Sequence, residues 1–214
     1  SEKFIDKAIQ SIQQQSFNDW ELLIIDDGSI DNTLNIAKEY ARQDPRIKVF
    51  HQENQGQSAA RNSLLTSVSG KYIMFLDSDD WFNTNNVFNE CIEAMSKNID
   101  LVVFNAKFFD ESKEVKNLAL LPPIYPKTSL IIKVPENPYC AAFSNVCFGC
   151  FKSSIIKKYN ITFAKGHLFE DWDFMVDYST YCKNINYINK PFYVYRNNPN
   201  SSTKKDGGIF RRPM

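Results

Sequence analysis

Phe4, Ile5, Ala8, Ile9 and Ile12 recur at the spacing of one helical face, so residues 2 to 15 are expected to form an amphipathic helix. WELLIID then has the unbroken apolar character of a buried strand that ends at Asp26. In DGSIDNT, turn residues are followed by Ser29 and Asp31 as N-caps for a helix carrying Leu34, Ala37, Tyr40 and Ala41. IKVFH reads as a second strand, and NQGQSAARNSLLTSVSG as a loop leading into a helix that Gly70 can close. KYIMFLD is a third strand-like run, Val87, Phe88, Cys91, Ile92 and Met95 mark another helix, and DLVVFNAKFF a further strand. After an irregular stretch, VCFGCFK, a helix around SSIIKKY and a helix from about Glu170 restore regular structure, and YVYR reads as a strand end.

Strands alternating with helices of about a dozen residues imply right-handed crossovers. The fold class expected is α/β, a mostly parallel sheet with helices on both faces. Ligands of such sheets bind beyond the carboxyl ends of the strands, where Asp26, Asp27, Asp77 and Asp79 fall. Past residue 110 the pattern changes, because LLPPIYPKTSLIIKVPENPY holds five of the nine prolines. We therefore divide the chain at this change of pattern into residues 1–110 and residues 111–214, two halves of the same domain.

At 214 residues, 43% hydrophobic and 23% charged, the composition is that of a globular domain with a full core. Lys plus Arg and Asp plus Glu balance at 25 each, which argues against a nucleic-acid surface. Lys204, Lys205, Arg211 and Arg212 gather near the end and read as a solvated tail in preference to a membrane-binding patch. SEKFIDKAIQ has no apolar signal-like core, and no run approaches a membrane span. A cytoplasmic location is expected, with peripheral association at the inner membrane face left open. Five cysteines, an odd number, suit reduced thiols. The CxxC of Cys147 and Cys150, even with Cys140, Cys182 or His167, lacks the second CxxC of a zinc site and reads as core. His51 reads as structural.

The chemistry concentrates in YIMFLDSDDWF, where an apolar strand runs into Asp77, Asp79 and Asp80. Carboxylates about 5 Å apart repel by roughly 3 kcal/mol per pair at an effective dielectric near 20, so a compensating positive charge is required. A divalent cation holding a phosphate is the leading candidate, and acids favoured by a helix N-terminus are the plain alternative. Arg61 offers a planar fork suited to phosphate or to a carbonyl-rich base.

The ordered set IIDDGSIDNT, NQGQSAARN, FLDSDDW, FEDWDF and YVYR resembles the family 2 inverting glycosyltransferases, over residues 2 to about 200. That resemblance implies the nucleotide-sugar-binding glycosyltransferase A fold and a DxD motif in which Asp77 faces the ribose and Asp79, with Asp80, holds Mn2+ or Mg2+. It implies that the acidic pair Asp26 and Asp27 contacts the base, with Asp27 preferred, and that Arg61 lies near the nucleotide. Asp171 becomes the catalytic base, Glu170 its orienting partner, and Asp173 solvent-facing. Arg196 is expected at the diphosphate, Ser201 or Ser202 on a loop over the donor, and Trp81 and Trp172 near a sugar. The implied partners are a nucleotide diphosphate sugar, a UDP-sugar above others, and a glycan or lipid-linked acceptor of surface polysaccharide synthesis. A silent binding or scaffold domain is the rival, and a nucleotidyltransferase a third reading. The family's usual first strand, of the kind SIIIPVYN, is missing before Ser1. A neighbouring strand, another chain or a rearranged sheet is expected to fill its place, because buried ladder edges need partners.

Overall fold

The computed structural model describes residues 1–95, 98–110, 113–118, 130–133, 145–166 and 170–197. Its elements are, in order, α1 (Ile5–Gln13), β1 (Leu22–Asp27), α2 (Thr33–Gln43), β2 (Ile47–Gln52), α3 (Gln57–Leu65), β3 (Tyr72–Met74), β4 (Trp81–Phe82), α4 (Val87–Met95) and β5 (Leu101–Asp110). They continue with β6 (Lys113–Leu118), β7 (Leu130–Lys133), a 3-10 turn (Val146–Phe148), β8 (Gly149–Lys152), α5 (Ser153–Tyr159), α6 (Glu170–Thr180) and β9 (Asn184–Arg196).

The strand and helix types follow the hydrophobic pattern. α1 buries Ile5, Ala8, Ile9 and Ile12, the stripe visible in the sequence. α2 begins where Asp31 Oδ1 accepts the Thr33 N–H at 3.1 Å, so Asp31 supplies the cap from one position before the N-cap residue Asn32. α3 ends at Leu65, five residues before Gly70, the residue expected to close it.

The sheet is more mixed than expected. β1 and β2 form a separate parallel pair, Leu22 opposite Ile47 through Asp27 opposite Gln52. The larger sheet runs β3-β8-β5-β9-β4, with β6 on β5 and β7 on β9. Within it β5 and β9 are parallel, while the other described pairings are antiparallel. β5 is central, and Leu101, Val102, Val103 and Phe104 are all buried, the unbroken apolar run expected of a strand covered on both faces. Phe151, Phe163, Phe174 and Tyr178 pack α6 onto this core, Phe163 and Phe174 being stacked at 4.3 Å.

β3 stops at Met74, although the apolar run continues through Phe75 and Leu76 to Asp77. Among the described residues β1 pairs only with β2 and β3 only with β8, and residues of both strands line a cavity of about 1720 Å3. Among the described residues no further strand pairs with β1 or β3, so the filling expected there is not seen. Cys91, Cys147, Cys150 and Cys182 are buried free thiols, in keeping with a core reading of the CxxC. Among the described residues no helix is long and apolar enough to cross a membrane. Cys140, His167, Ser201, Ser202, Lys204, Lys205, Arg211 and Arg212 lie outside the described residues.

Candidate active site

The turn after β1 sets the position of α3. Gly28 sits at φ +72°, and a Cβ there would meet the Asn54 backbone nitrogen at 2.8 Å, so glycine is required on both counts. This close approach lets Asp27 reach the next loop, accepting the Gln55 and Gly56 N–H groups and the Gln52 side-chain amide, each at 2.8 Å. Gly56 is the N-cap residue of α3, so Asp27 fixes where that helix starts. A carboxylate has roughly four acceptor positions, and three are used by protein donors here. Asp27 faces the cavity; Asp26, its neighbour on a pleated strand, is buried and does not line it. The expected contact of Asp26 with a base is corrected accordingly: its Oδ2 lies 2.7 Å from His51 Nδ1, and among the described residues its Oδ1 has no partner. His51 is thus the structural companion of Asp26.

Arg61, on the second turn of α3, is the centre of the site. Its Nη2 donates to Asp77 Oδ1 at 2.9 Å, and its Nη1 to Asp171 Oδ1 at 2.6 Å and to Glu170 Oε1 at 3.2 Å. Arg61 is 9% exposed, and the Asp77 and Asp171 carboxylates hold its guanidinium charged against the opposing effect of burial. One cation therefore ties the end of the β3 segment to the first turn of α6. The positive charge demanded by the acid cluster is supplied, at Asp77, by a guanidinium. Burial is also the chief reason that Asp171 is pushed up to about 6; Asp77 and Glu170 add to the shift and Arg61 opposes it. A carboxyl near 6 is deprotonated at neutral pH yet basic enough to take a proton from a hydroxyl.

The remaining acids of the turn diverge. Asp80, expected to hold a metal with Asp79, is turned inward and 2% exposed. Tyr193 Oη donates to its Oδ2 at 2.6 Å and the Arg196 N–H to its Oδ1 at 2.7 Å. Burial pushes its carboxyl up to about 8, and with each oxygen already accepting from a protein donor inside the protein it is poorly placed to hold a cation. The same Tyr193 hydroxyl accepts the Asp77 N–H at 3.3 Å, so one side chain pins both ends of the DSDD turn. Tyr193 was missed in the sequence, although its place three residues before Arg196 in YVYR carries the signal. Arg196 is packed among Phe4, Trp81 and Phe109, with its Nε donating to the Asp79 carbonyl at 2.9 Å. That places it behind the turn, apart from the cavity-lining residues.

Asp27, Asp77, Asp79, Glu170 and Asp171 line the same cavity, and Trp172, 42% exposed, stands beside them. Trp81 instead carries Lys7, whose Nζ is 3.5 Å from its ring centroid. Among the described residues no three His, Cys, Asp or Glu side chains are grouped to hold a metal ion unaided. The arrangement still suits Mg2+ or Mn2+, which usually take one or two carboxylates and complete their shell with waters and substrate phosphates. Asp77 and Asp79 both line the cavity and are the carboxylates that would serve such an ion.

Residues 1–158 match the model of the family described as Glycosyl transferase family 2. The glycosyltransferase GlyA of Streptococcus pneumoniae is 30% identical over 202 residues, 91% of this chain and 29% of that protein. The Campylobacter jejuni protein named GalNAc(5)-diNAcBac-PP-undecaprenol beta-1,3-glucosyltransferase is 28% identical over 210 residues, 90% of this chain and 60% of its own length. Among solved structures, S. aureus TarS in complex with UDP-GlcNAc superposes with a TM-score of 0.79 at 20% identity, over 95% of this chain and 57% of TarS. The chain thus spans less than two thirds of each, and the likeness to TarS concerns the fold, that of the glycosyltransferase A type. With a family match over most of its length and strand-end acids gathered around Arg61, the chain belongs to glycosyl transferase family 2.

Proposed function

We propose that the chain is the catalytic domain of an inverting glycosyltransferase that moves a sugar from a nucleotide diphosphate sugar, a UDP-sugar, to a glycan or lipid-linked acceptor of surface polysaccharide synthesis. The carrying observation is the Arg61 bridge, which brings Asp77 on the donor side within one guanidinium of Glu170 and Asp171. The UDP-GlcNAc in TarS and the undecaprenol-linked acceptor in the name of the Campylobacter protein support the two substrate classes. Residues 1–110 serve the donor and residues 111–214 the acceptor.

In this reading Asp27 spends its remaining acceptor position on the base, and Asp77 faces the ribose. Asp79 holds the divalent cation, whose chemistry is to neutralise charge developing on the leaving diphosphate. Asp171 takes the proton of the acceptor hydroxyl as that oxygen attacks the anomeric carbon opposite the leaving group, which inverts the configuration. Arg61 orients Asp171 and keeps it ionised at neutral pH, and Glu170 shares the guanidinium. Trp172 offers a flat face to a sugar beside the base.

The test is transfer or donor hydrolysis with Mn2+, compared between the natural chain and Asp171→Asn. The amide keeps the Arg61 contact but cannot take a proton, so turnover should fall by about 10²- to 10⁴-fold while the donor's stabilising effect persists. Equal turnover in both would remove Asp171 from the mechanism. A silent binding domain is favoured by one observation, the engagement of Asp171 by Arg61 at 2.6 Å; it predicts donor-induced stabilisation with no turnover in either protein.

A further inference from the structure

β9 presents its side chains alternately to the two faces of the sheet. Tyr193 faces the acid turn, where its hydroxyl donates to Asp80 and accepts the Asp77 N–H. Arg196 lies on the opposite face, among Phe4, Trp81 and Phe109. Tyr195, two positions after Tyr193, therefore stands on the side of the acids. It is half-buried and pairs in register with Phe108 of β5; the two rings are stacked at 20° with centroids 6.0 Å apart. Both residues line the cavity that Asp77 and Asp79 also line, so Phe108 braces the phenol from the neighbouring strand.

The two tyrosines differ in what their hydroxyls do. Tyr193 is engaged in the core, whereas among the described residues the Tyr195 hydroxyl makes no hydrogen bond. Burial pushes the Tyr195 phenol up, and Asp80, Asp79 and Asp77 push it further, so it keeps its proton and lies within the field of the DSDD turn. It is a neutral donor beside groups that mostly accept.

Such donors are scarce in this part of the cavity. Asp27, Asp77, Asp79, Glu170 and Asp171 line it, and the cations among the described lining residues are Arg61 and Lys71. Arg61 is committed to three carboxylates, and Lys71 precedes β3 while Asp77 follows it, so the two stand at opposite ends of that segment. A diphosphate brought among five carboxylates needs, besides a divalent cation, protons directed at its oxygens. An O–H bonded to an anionic oxygen is short and about twice as strong as a neutral pair.

We propose that Tyr195 is a further catalytic residue of the transferase, its hydroxyl donating to the sugar-bearing phosphate of the nucleotide diphosphate, the place the sequence assigned to Arg196. The proposal rests on the reading of this cavity as a donor site. In the transfer, the bond from the anomeric carbon to the phosphate oxygen breaks and its electron pair leaves with the diphosphate. The acceptor oxygen bonds the anomeric carbon, its proton passes to Asp171, and Tyr195 keeps its own. Charge grows on the phosphate as that bond breaks, so the hydrogen bond is stronger in the transition state than before it.

The test compares Tyr195→Phe with the natural chain in thermal-shift titrations with UMP and with UDP, both with Mn2+, and in transfer or donor hydrolysis. The variant keeps the ring and deletes a hydroxyl with no protein partner, so the Tm without nucleotide should be unchanged. UMP, which lacks the second phosphate, should stabilise both proteins alike, while the UDP concentration for half-maximal shift should rise about tenfold in the variant. kcat should fall about 10²-fold, with a smaller change in KM. Equal weakening of UMP and UDP would overturn the proposal by assigning the hydroxyl to the nucleoside. An unchanged UDP titration with weaker UDP-sugar binding would overturn it in favour of the sugar, and a lower Tm without nucleotide in favour of a structural role. If UDP stabilises both proteins equally and kcat is unchanged, the donor reading stands and the role of Tyr195 falls. If neither nucleotide stabilises the natural chain, the donor reading fails and the proposal with it.

Discussion

Replacing Arg61 with Met keeps much of the side-chain volume and removes the charge that three carboxylates share. Asp77, Asp171 and Glu170 stand 2.9, 2.6 and 3.2 Å from its nitrogens. Breaking a buried ion pair by deleting one partner costs about 3–5 kcal/mol. The repulsion left behind, roughly 3 kcal/mol for each carboxylate pair near 5 Å, is of the same size, so the folded protein should relieve it by taking up protons. Asp171 already titrates at about 6 in the presence of Arg61, well above an unfolded aspartate, and loses its main opposing charge in the variant. A carboxyl whose folded pKa is raised adds stability at pH values below its unfolded pKa, and that contribution is lost as pH rises through the folded pKa. The Arg61→Met penalty should therefore be largest at pH 8, about 3–5 kcal/mol, and shrink to about 1–2 kcal/mol at pH 5. Urea denaturation of both proteins at the two pH values measures it. A penalty below about 1 kcal/mol at pH 8, or one equal at both pH values, would show that the guanidinium does not hold the acids together.

Three further outcomes follow from the same contacts. If Asp171 is the base, transfer should rise about tenfold per pH unit below 6 and level off above it, and a profile flat from pH 5 to 8 would count against the assignment. Gly28→Ala should cost about 1–3 kcal/mol in thermal or chemical unfolding, because the residue has a positive φ and its new methyl meets the Asn54 nitrogen; a neutral effect would mean that the turn relaxes freely. Tyr193→Phe removes one of the two protein donors on buried Asp80 and should cost about 1–3 kcal/mol, which differential scanning calorimetry would resolve; no change would contradict its role in pinning the DSDD turn.

The hydrophobic pattern alone located the six α-helices and most of the longer strands among the described residues, because burying one face of an element is a local demand written at a fixed period; it gave no sign of β4, and β6 and β7 lie where the chain reads as irregular. It also placed the acids at strand ends, since a run of apolar residues meeting Asp27 or Asp77 can be read without knowing the neighbours. What it left open was which groups neutralise which. That Arg61 binds Asp77, Glu170 and Asp171, that Tyr193 holds Asp80, and that Asp26 turns to His51 depend on contacts across 16 to 116 residues of sequence. A local period carries no information about such pairings. The expectation of a mostly parallel sheet gave way for the same reason: β8, β9 and β4 choose their ladders by register with distant strands, which only the assembled sheet decides. The sequence determined which residues are charged and where the chain bends. Their separation from solvent and from one another, which sets the basicity of Asp171 and buries Asp80, belongs to the tertiary structure, because desolvation and Coulomb energy depend on distance in space.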